Sequence, residues 1–337
     1  QAEDGIRDVE RSRGLGDVYK RQVYIDSIGN LVASYGQGTS TISLIGHIDT
    51  IPGFIPVYFD GNIISGRGAV DAKGPLTAMF IGASLAKEFI DLNKIKVYVI
   101  ATVGEEGPSH GAWHLVKTGF KSDYVVIGEP SNGNGVVIGY RGSCKIVIRC
   151  SSEGGHSSTP WISKSACDKL INIWLKLKNI FNGTSSREFS ISLLKLMCGS
   201  NYTVLPKEGS AYIDIRIPIG SGIDEVLDNI RNGDIDFENC FFEVKDFVKP
   251  VITPINSKIV RALVRSIIKA NLKPKLLIKL GTSDMNLLHG VVSNEIIAYG
   301  PGKSELAHTD QEYLEVHELM TSISIYRNVI IEILNLQ

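Results

Sequence analysis

Five short turns carry the residues best suited to chemistry: Gly46-His47-Ile48-Asp49, Gly68-Ala69-Val70-Asp71, Gly104-Glu105-Glu106-Gly107, Gly128-Glu129-Pro130 and Leu306-Ala307-His308-Thr309. A lone carboxylate after a strand is ordinarily a helix cap or a surface group. Five such turns with two histidines among them are hard to read as caps. Gathered carboxylates repel one another and shift in pKa unless a cation opposes them. A pair of divalent metals does this, and a mixed histidine and carboxylate shell suits zinc, with cobalt or manganese as substitutes.

Such turns need strands to position them. TISLIGHID, KVYVIATVG and DYVVIGE are short β-branched runs of the kind a parallel sheet buries on both faces, and GPLTAMFIGASLAKEFIDL has apolar residues at helical spacing after an early proline. This strand–helix–strand rhythm predicts an α/β fold with a mostly parallel mixed sheet flanked by helices, its site at the carboxyl ends of the strands. Near residue 140 the rhythm changes. CKIVIRCSS, SACDKLINIWLKLKNIF, FSISLLKLM, AYIDIRIPI, IDEVLDNIRN and CFFEVKDFV read as β-α-β-β-α-β, a ferredoxin-like module. After Pro250 the α/β pattern resumes and ends in the helix ELMTSISIYRNVIIEILNL. The expected organisation is a catalytic domain of residues 23–139 and 250–337 interrupted by an inserted domain, 140–249.

The 337 residues carry 35 Lys+Arg against 36 Asp+Glu, a balance that argues against a nucleic-acid partner. No apolar run approaches the roughly 18–20 residues needed to span a bilayer. The five cysteines (Cys144, Cys150, Cys167, Cys198, Cys240) form no CxxC pair and read as reduced, mostly buried thiols of a cytoplasmic protein. Residues 1–22 hold ten charges without any apolar period, and GIRDVERSRGLGDVYKRQ resembles translated sequencing-adapter sequence. They are expected to be non-native or disordered and are set apart from the fold. Three lookalikes are weak. Gly66-Arg67-Gly68 has Asp71 where a dinucleotide loop needs its third glycine, His110 and His114 lack the glutamate of an HExxH site, and Ser283 has no nucleophile-elbow spacing.

The motifs GHIDTIPG, GRGAVDAKGPL, GEEG, GEP, GTSD and AHTD, in that order from about residue 42 to 320, resemble the M20 family of di-zinc aminoacylases and peptidases. GYRGS and YGPGKSELAHT add a likeness to that family's lysine- and ornithine-releasing hydrolases, some relatives of which are acetyl-lysine deacetylases. The resemblance implies a dimeric enzyme that cuts the amide between the amino acid and a glutamyl carboxyl of an acidic carrier protein. Deacylation of small N-acetyl or N-succinyl amino acids, or dipeptide cleavage, is the neighbouring alternative. It also implies roles. Asp71 would bridge two zinc ions, with His47 and Glu129 completing one shell and Glu106 and His308 the other. Asp49 would accept the second N–H of His47, and Glu105 would be the general base. His156, in the inserted lid and dimerisation domain, would reach the partner subunit's site and stabilise the oxyanion. Arg216 would hold the substrate's α-carboxylate. Thr203 stands where the family usually has an asparagine that offers one hydrogen bond to the intermediate, a departure from the family pattern. Relatives usually carry a further helix and strand upstream, so the chain is expected to be truncated at its start.

Overall fold

A computed structural model describes residues 22–159, 161–199 and 202–336. Apart from Gln22, the segment 1–22 lies outside the described residues. In chain order the first elements are β1 (Gln22–Ile25), β2 (Leu31–Tyr35), β3 (Ser40–His47), α1 (Lys73–Ala86), β4 (Ile95–Thr102), α2 (His110–Lys117), β5 (Tyr124–Gly128) and β6 (Gly135–Tyr140). Next come β7 (Gly142–Ser151), α3 (Ala166–Ile180), β8 (Ser190–Cys198), β9 (Glu208–Ile217), α4 (Ile223–Asn232) and β10 (Cys240–Val248). The chain then continues through α5 (Lys258–Lys269), α6 (Asp284–Leu288), β11 (Glu295–Tyr299) and α7 (Val316–Asn335). Shorter strands are named below by their residues.

Two compact units result. One comprises the chain to Gly139, Thr253–Leu277 and the residues from Ser283 onward; the other is Tyr140–Ile252 with Ile278–Thr282. The sequence-derived return to the first unit at residue 250 is thus three residues early, and it missed that 278–282 belongs with the insertion.

In the first unit the sheet order β1-β2-β4-β3-β5-β11-β6 places four parallel strands, β4, β3, β5 and β11, side by side. Their apolar runs are mostly buried, fully so toward the carboxyl ends, because helices cover the sheet, as parallel sheets require. α1 and α7 share one core with the sheet, including Met79, Ala83, Tyr326 and Val329. Gly82 lets the two helices approach: a Cβ there would lie 2.7 Å from the Ile323 carbonyl oxygen. Among the described residues no helix is long and apolar enough to cross a membrane.

In the second unit the antiparallel sheet runs β8-β9-β7-β10, and α3 and α4 pack on it through Leu170, Ile173, Leu177, Val226 and Ile230. Ser165 caps α3 by accepting the N–H groups of Cys167 and Asp168. The cysteine expectation is corrected here. Disulfides join Cys150 to Cys240 and Cys167 to Cys198, leaving Cys144 as a buried thiol. The partners are 90 and 31 residues apart, so spacing alone gave no signal. Strand register accounts for the first, placing Cys240 opposite Cys150, and the same row runs through Gly209 to Cys198, whose partner Cys167 comes from the first turn of α3.

Candidate metal centre

The ends of the adjacent parallel strands gather the acidic turns. His47 is the last residue of β3, in register with Thr102 at the end of β4, two residues before Gly104-Glu105-Glu106. Glu129 follows β5, and the segment after β11 leads to His308. His308 itself adopts φ 62°, a left-handed conformation uncommon for a non-glycine residue and frequent at functional sites.

Asp71 sits between the two histidines. Its Oδ1 lies 3.2 Å from His47 Nε2 and its Oδ2 3.3 Å from His308 Nε2. Glu106 Oε1 is 2.9 Å from the same His308 nitrogen. Ligand atoms of Asp71, Glu106 and His308 fall within 4.8 Å of one another, as do those of His47, Glu105 and Glu106. The structure therefore brings together His47, Asp71, Glu105, Glu106 and His308. Glu129 stands outside both groups, although its charge acts on His47 and Glu105.

Asp49 holds the site differently from the expectation. His47 Nδ1 bonds the main-chain carbonyl of Asp49 at 3.0 Å, with the carboxylate 3.7 Å away. That carboxylate instead accepts the N–H groups of Gly104, Glu105 and Glu106 at 2.9, 3.2 and 3.1 Å, fixing the turn that bears both glutamates. Burial would raise the Asp49 pKa, but His47 and the N–H groups of Glu106 and Glu105 hold it at about 2.

The electrostatics are those of crowded acids. Burial, then the charges of Glu129 and Asp284, push Glu105 up to about 10. Burial and Asp71 raise Glu106 as well. Burial favours a neutral His47, yet Asp49 and Asp71, helped by Glu129 and Glu105, hold its pKa up at about 12. Such a set suits divalent cations, which supply the opposing charge directly. Two nitrogen ligands and several half-buried carboxylates, with one aspartate facing both histidines, fit a pair of borderline ions such as zinc.

Two buried carboxylates escaped the sequence reading as supports. Asp284 is 3% exposed, accepts from Thr102 Oγ1 at 3.2 Å and is pushed up to about 6, chiefly by burial. Glu312 is 1% exposed, and its carboxylate takes the N–H groups of Gly68, Val70 and Asp71. No local signal marks Glu312, whereas Asp284 lies in the GTSD motif. Ser283 caps α6 in a capping box with Asn286, a structural role that matches its rejection as a nucleophile. His114 stands 3.6 Å from Asp26, apart from the metal groups.

The inserted unit holds His156 and Arg216. His156 is exposed on the two-residue strand Gly155–His156, paired with Val204–Leu205, and its Nδ1 meets Ser158 Oγ at 2.7 Å. Arg216 Nε bonds Asp214 Oδ2 at 2.8 Å, while its buried Nη1 has no hydrogen-bond partner among the described residues. On the same sheet Lys145 is paired with Asp246 and Arg149 with Glu243.

The sequence matches the model of peptidase family M20/M25/M40 over residues 43–332. It is 39% identical over 301 residues to a [LysW]-lysine/[LysW]-ornithine hydrolase of Sulfurisphaera tokodaii, covering 89% of this chain and 83% of that one. A protein of the same name from Saccharolobus islandicus is 36% identical over 301 residues with the same coverage. In fold the chain is similar to a tripeptidase from Staphylococcus aureus (TM-score 0.80, 21% identity, 96% of this chain and 91% of that one). It is also similar to aminopeptidase PepT from Bacillus cereus (TM-score 0.79, 19% identity, 97% and 91%).

Proposed function

Because the chain belongs to peptidase family M20/M25/M40, we propose that it hydrolyses the amide joining lysine or ornithine to the carrier named LysW, as its 36–39% identical relatives are named to do. The observation that carries this reading at the site is Asp71, one oxygen toward each histidine, beside the Glu105-Glu106 turn.

His47, Asp71, Glu106, Glu129 and His308 would hold two divalent ions, zinc in our reading, with cobalt or manganese as substitutes. When bound, such a pair polarises the scissile carbonyl and acidifies the attacking water. Glu105 takes the proton from that water and returns it to the leaving amine of lysine or ornithine. Glu105 is placed for this transfer by geometry, its carboxylate gathered with His47 and Glu106 at the site. Asp49 keeps Glu105 in place by binding its N–H and those on either side.

The finer parts of the reading follow from the resemblance. The inserted unit, with its ferredoxin-like strand order, acts as lid and dimerisation domain. In the homodimer, His156 stabilises the oxyanion in the partner subunit's site. Arg216 holds the substrate's α-carboxylate, its guanidinium oriented by Asp214. The carrier is acidic and the reaction takes place in the cytoplasm, in lysine or arginine biosynthesis.

The test is a parallel assay with zinc or cobalt of LysW-linked lysine, LysW-linked ornithine, N-acetyl-lysine and N-succinyl-diaminopimelate. Release from the carrier-linked forms is expected, and Glu105→Gln abolishes it. Turnover of the small substrates with none on the carrier forms would replace this reading by deacylation. Lysine and ornithine differ by one methylene, worth only about 1–3 kcal/mol in a pocket, so both carrier forms are expected to react.

A further inference from the structure

We propose that Glu312 is a positioning residue of the metal centre: it fixes the loop of Asp71 and ties it to the loop of His308. The inference rests on the reading of Asp71 as a shared metal ligand. Loop 66–71 carries Asp71, and α1, which follows it, has Ala72 at its N-cap with no side-chain acceptor. Four N–H groups before the helix, those of Gly66, Gly68, Val70 and Asp71, are satisfied from far away in the chain. Glu312 Oε1 accepts from Val70 and Asp71 at 2.9 and 3.0 Å, and Oε2 accepts from Gly68 at 3.0 Å. The main-chain carbonyl of Glu312 takes the N–H of Gly66 at 3.2 Å.

The fourth bond to the carboxylate closes the link. Arg67 Nη1 donates to Glu312 Oε2 at 3.1 Å and to the Thr309 carbonyl at 2.8 Å. Thr309 adjoins His308, so the same pair grips the loops bearing both residues. Pairing of Tyr313 with Ser65 continues this grip on either side. The arrangement parallels Asp49, whose carboxylate gathers three N–H groups of the Glu105-Glu106 turn. Only a carboxylate serves at 312. Each oxygen faces two donors, and an amide would turn its own N–H group toward one of these pairs. Displacing the loop would move Asp71 away from its place between the two histidines, and supports of metal ligands commonly change metal affinity by 10–100-fold.

The experiment is a Co2+ titration of the chelated protein, followed by d–d absorption and confirmed with Zn2+ competition. Wild type, Glu312→Gln and Glu332→Gln are compared. Glu332 is an equally useful buried carboxylate of the same unit, paired with Lys269 and Arg265, and belongs to no metal-site loop. The expected result is a loss of about 10–100-fold in Co2+ affinity for Glu312→Gln with an altered spectrum. Glu332→Gln should lower the melting temperature and leave the affinity unchanged. A folded Glu312→Gln protein with wild-type affinity and spectrum overturns the proposal. If that variant does not fold, Glu312→Asp, which keeps the charge and shortens the reach, must show the same weakened binding, and wild-type binding by it is equally fatal. Wild-type protein that binds no Co2+ would overturn the metal-centre reading itself, and the positioning role with it.

Discussion

The two units secure their special residues by opposite means. In the parallel-sheet unit, buried carboxylates collect runs of main-chain N–H groups, Asp49 for the Glu105-Glu106 turn and Glu312 for the Asp71 loop. In the inserted unit, covalent links cross the antiparallel sheet at one row and tie α3 to β8. The difference teaches where each unit is vulnerable. A site held by charge and hydrogen bonds responds to protonation, metal supply and single carboxylate changes. A platform held by sulfur responds to reduction and to cysteine loss, with little dependence on pH.

The largest effect expected is at the chemical step. Glu105→Gln removes the proton carrier while keeping the size of the side chain, so kcat should fall by about 10²–10⁴-fold, or roughly 3–5 kcal/mol of barrier. The Asp49 carboxylate still holds the turn, so Co2+ stoichiometry should stay at the wild-type value. Steady-state kinetics with carrier-linked lysine, beside a metal titration, checks both. A variant that keeps wild-type kcat would transfer the base role elsewhere. One that loses metal would make Glu105 a ligand, as its proximity to His47 and Glu106 allows.

Next in size is the covalent half of the contrast. Breaking Cys167–Cys198 or Cys150–Cys240 frees loops of 31 or 90 residues in the unfolded chain, a loss of about 4 kcal/mol for each link in the chain-entropy account. Cys198→Ser, or treatment with a strong reductant, should therefore lower the melting temperature measurably. Co2+ affinity in the first unit should not follow. A metal affinity that fell together with the disulfide would show that the two means of support are not independent.

The contrast also explains what could be read in the sequence. His47, Glu105 and Glu106 stand at or just past the ends of parallel strands and Asp71 and His308 in short motif-bearing loops, so neighbouring residues announced them and the fold brought them together. Long-range partners announced nothing. Glu312 reaches Gly68 across 244 positions, and Cys150 meets Cys240 only because two antiparallel strands adopt one register. Asp49 shows an intermediate case. Its place beside His47 suggested one bond, while its main service is to three N–H groups more than fifty residues on. The inserted segment was visible as a change of rhythm, yet the return of 278–282 to it was hidden, because five residues carry no period.

The effect that separates the units most cleanly is on pH. Glu105, pushed up to about 10, Glu106, also raised, and His47, at about 12, are held toward their protonated forms in chelated protein near neutrality. A raised folded-state pKa stabilises the fold below the unfolded value and loses that contribution as pH climbs through the folded one. For Glu105 the window runs from 4.5 to about 10, so chelated protein should become less stable with rising pH across it. Divalent ions require the unprotonated ligands, and uptake must expel these protons. Affinity should then rise with pH, by about 1.4 kcal/mol per unit for each proton displaced, and calorimetry in buffers of different ionisation enthalpy should register the release. In the inserted unit the carboxylate shifts run the other way, Glu188 lowered by Ser185 and Thr184 and Glu243 by Lys245 and Arg149, while burial raises the free thiol of Cys144 to about 11. Metal affinity that stayed flat between pH 6 and 9 would mean that the carboxylates are already ionised, with Asp49 and Glu312 organising loops whose charges some other group balances.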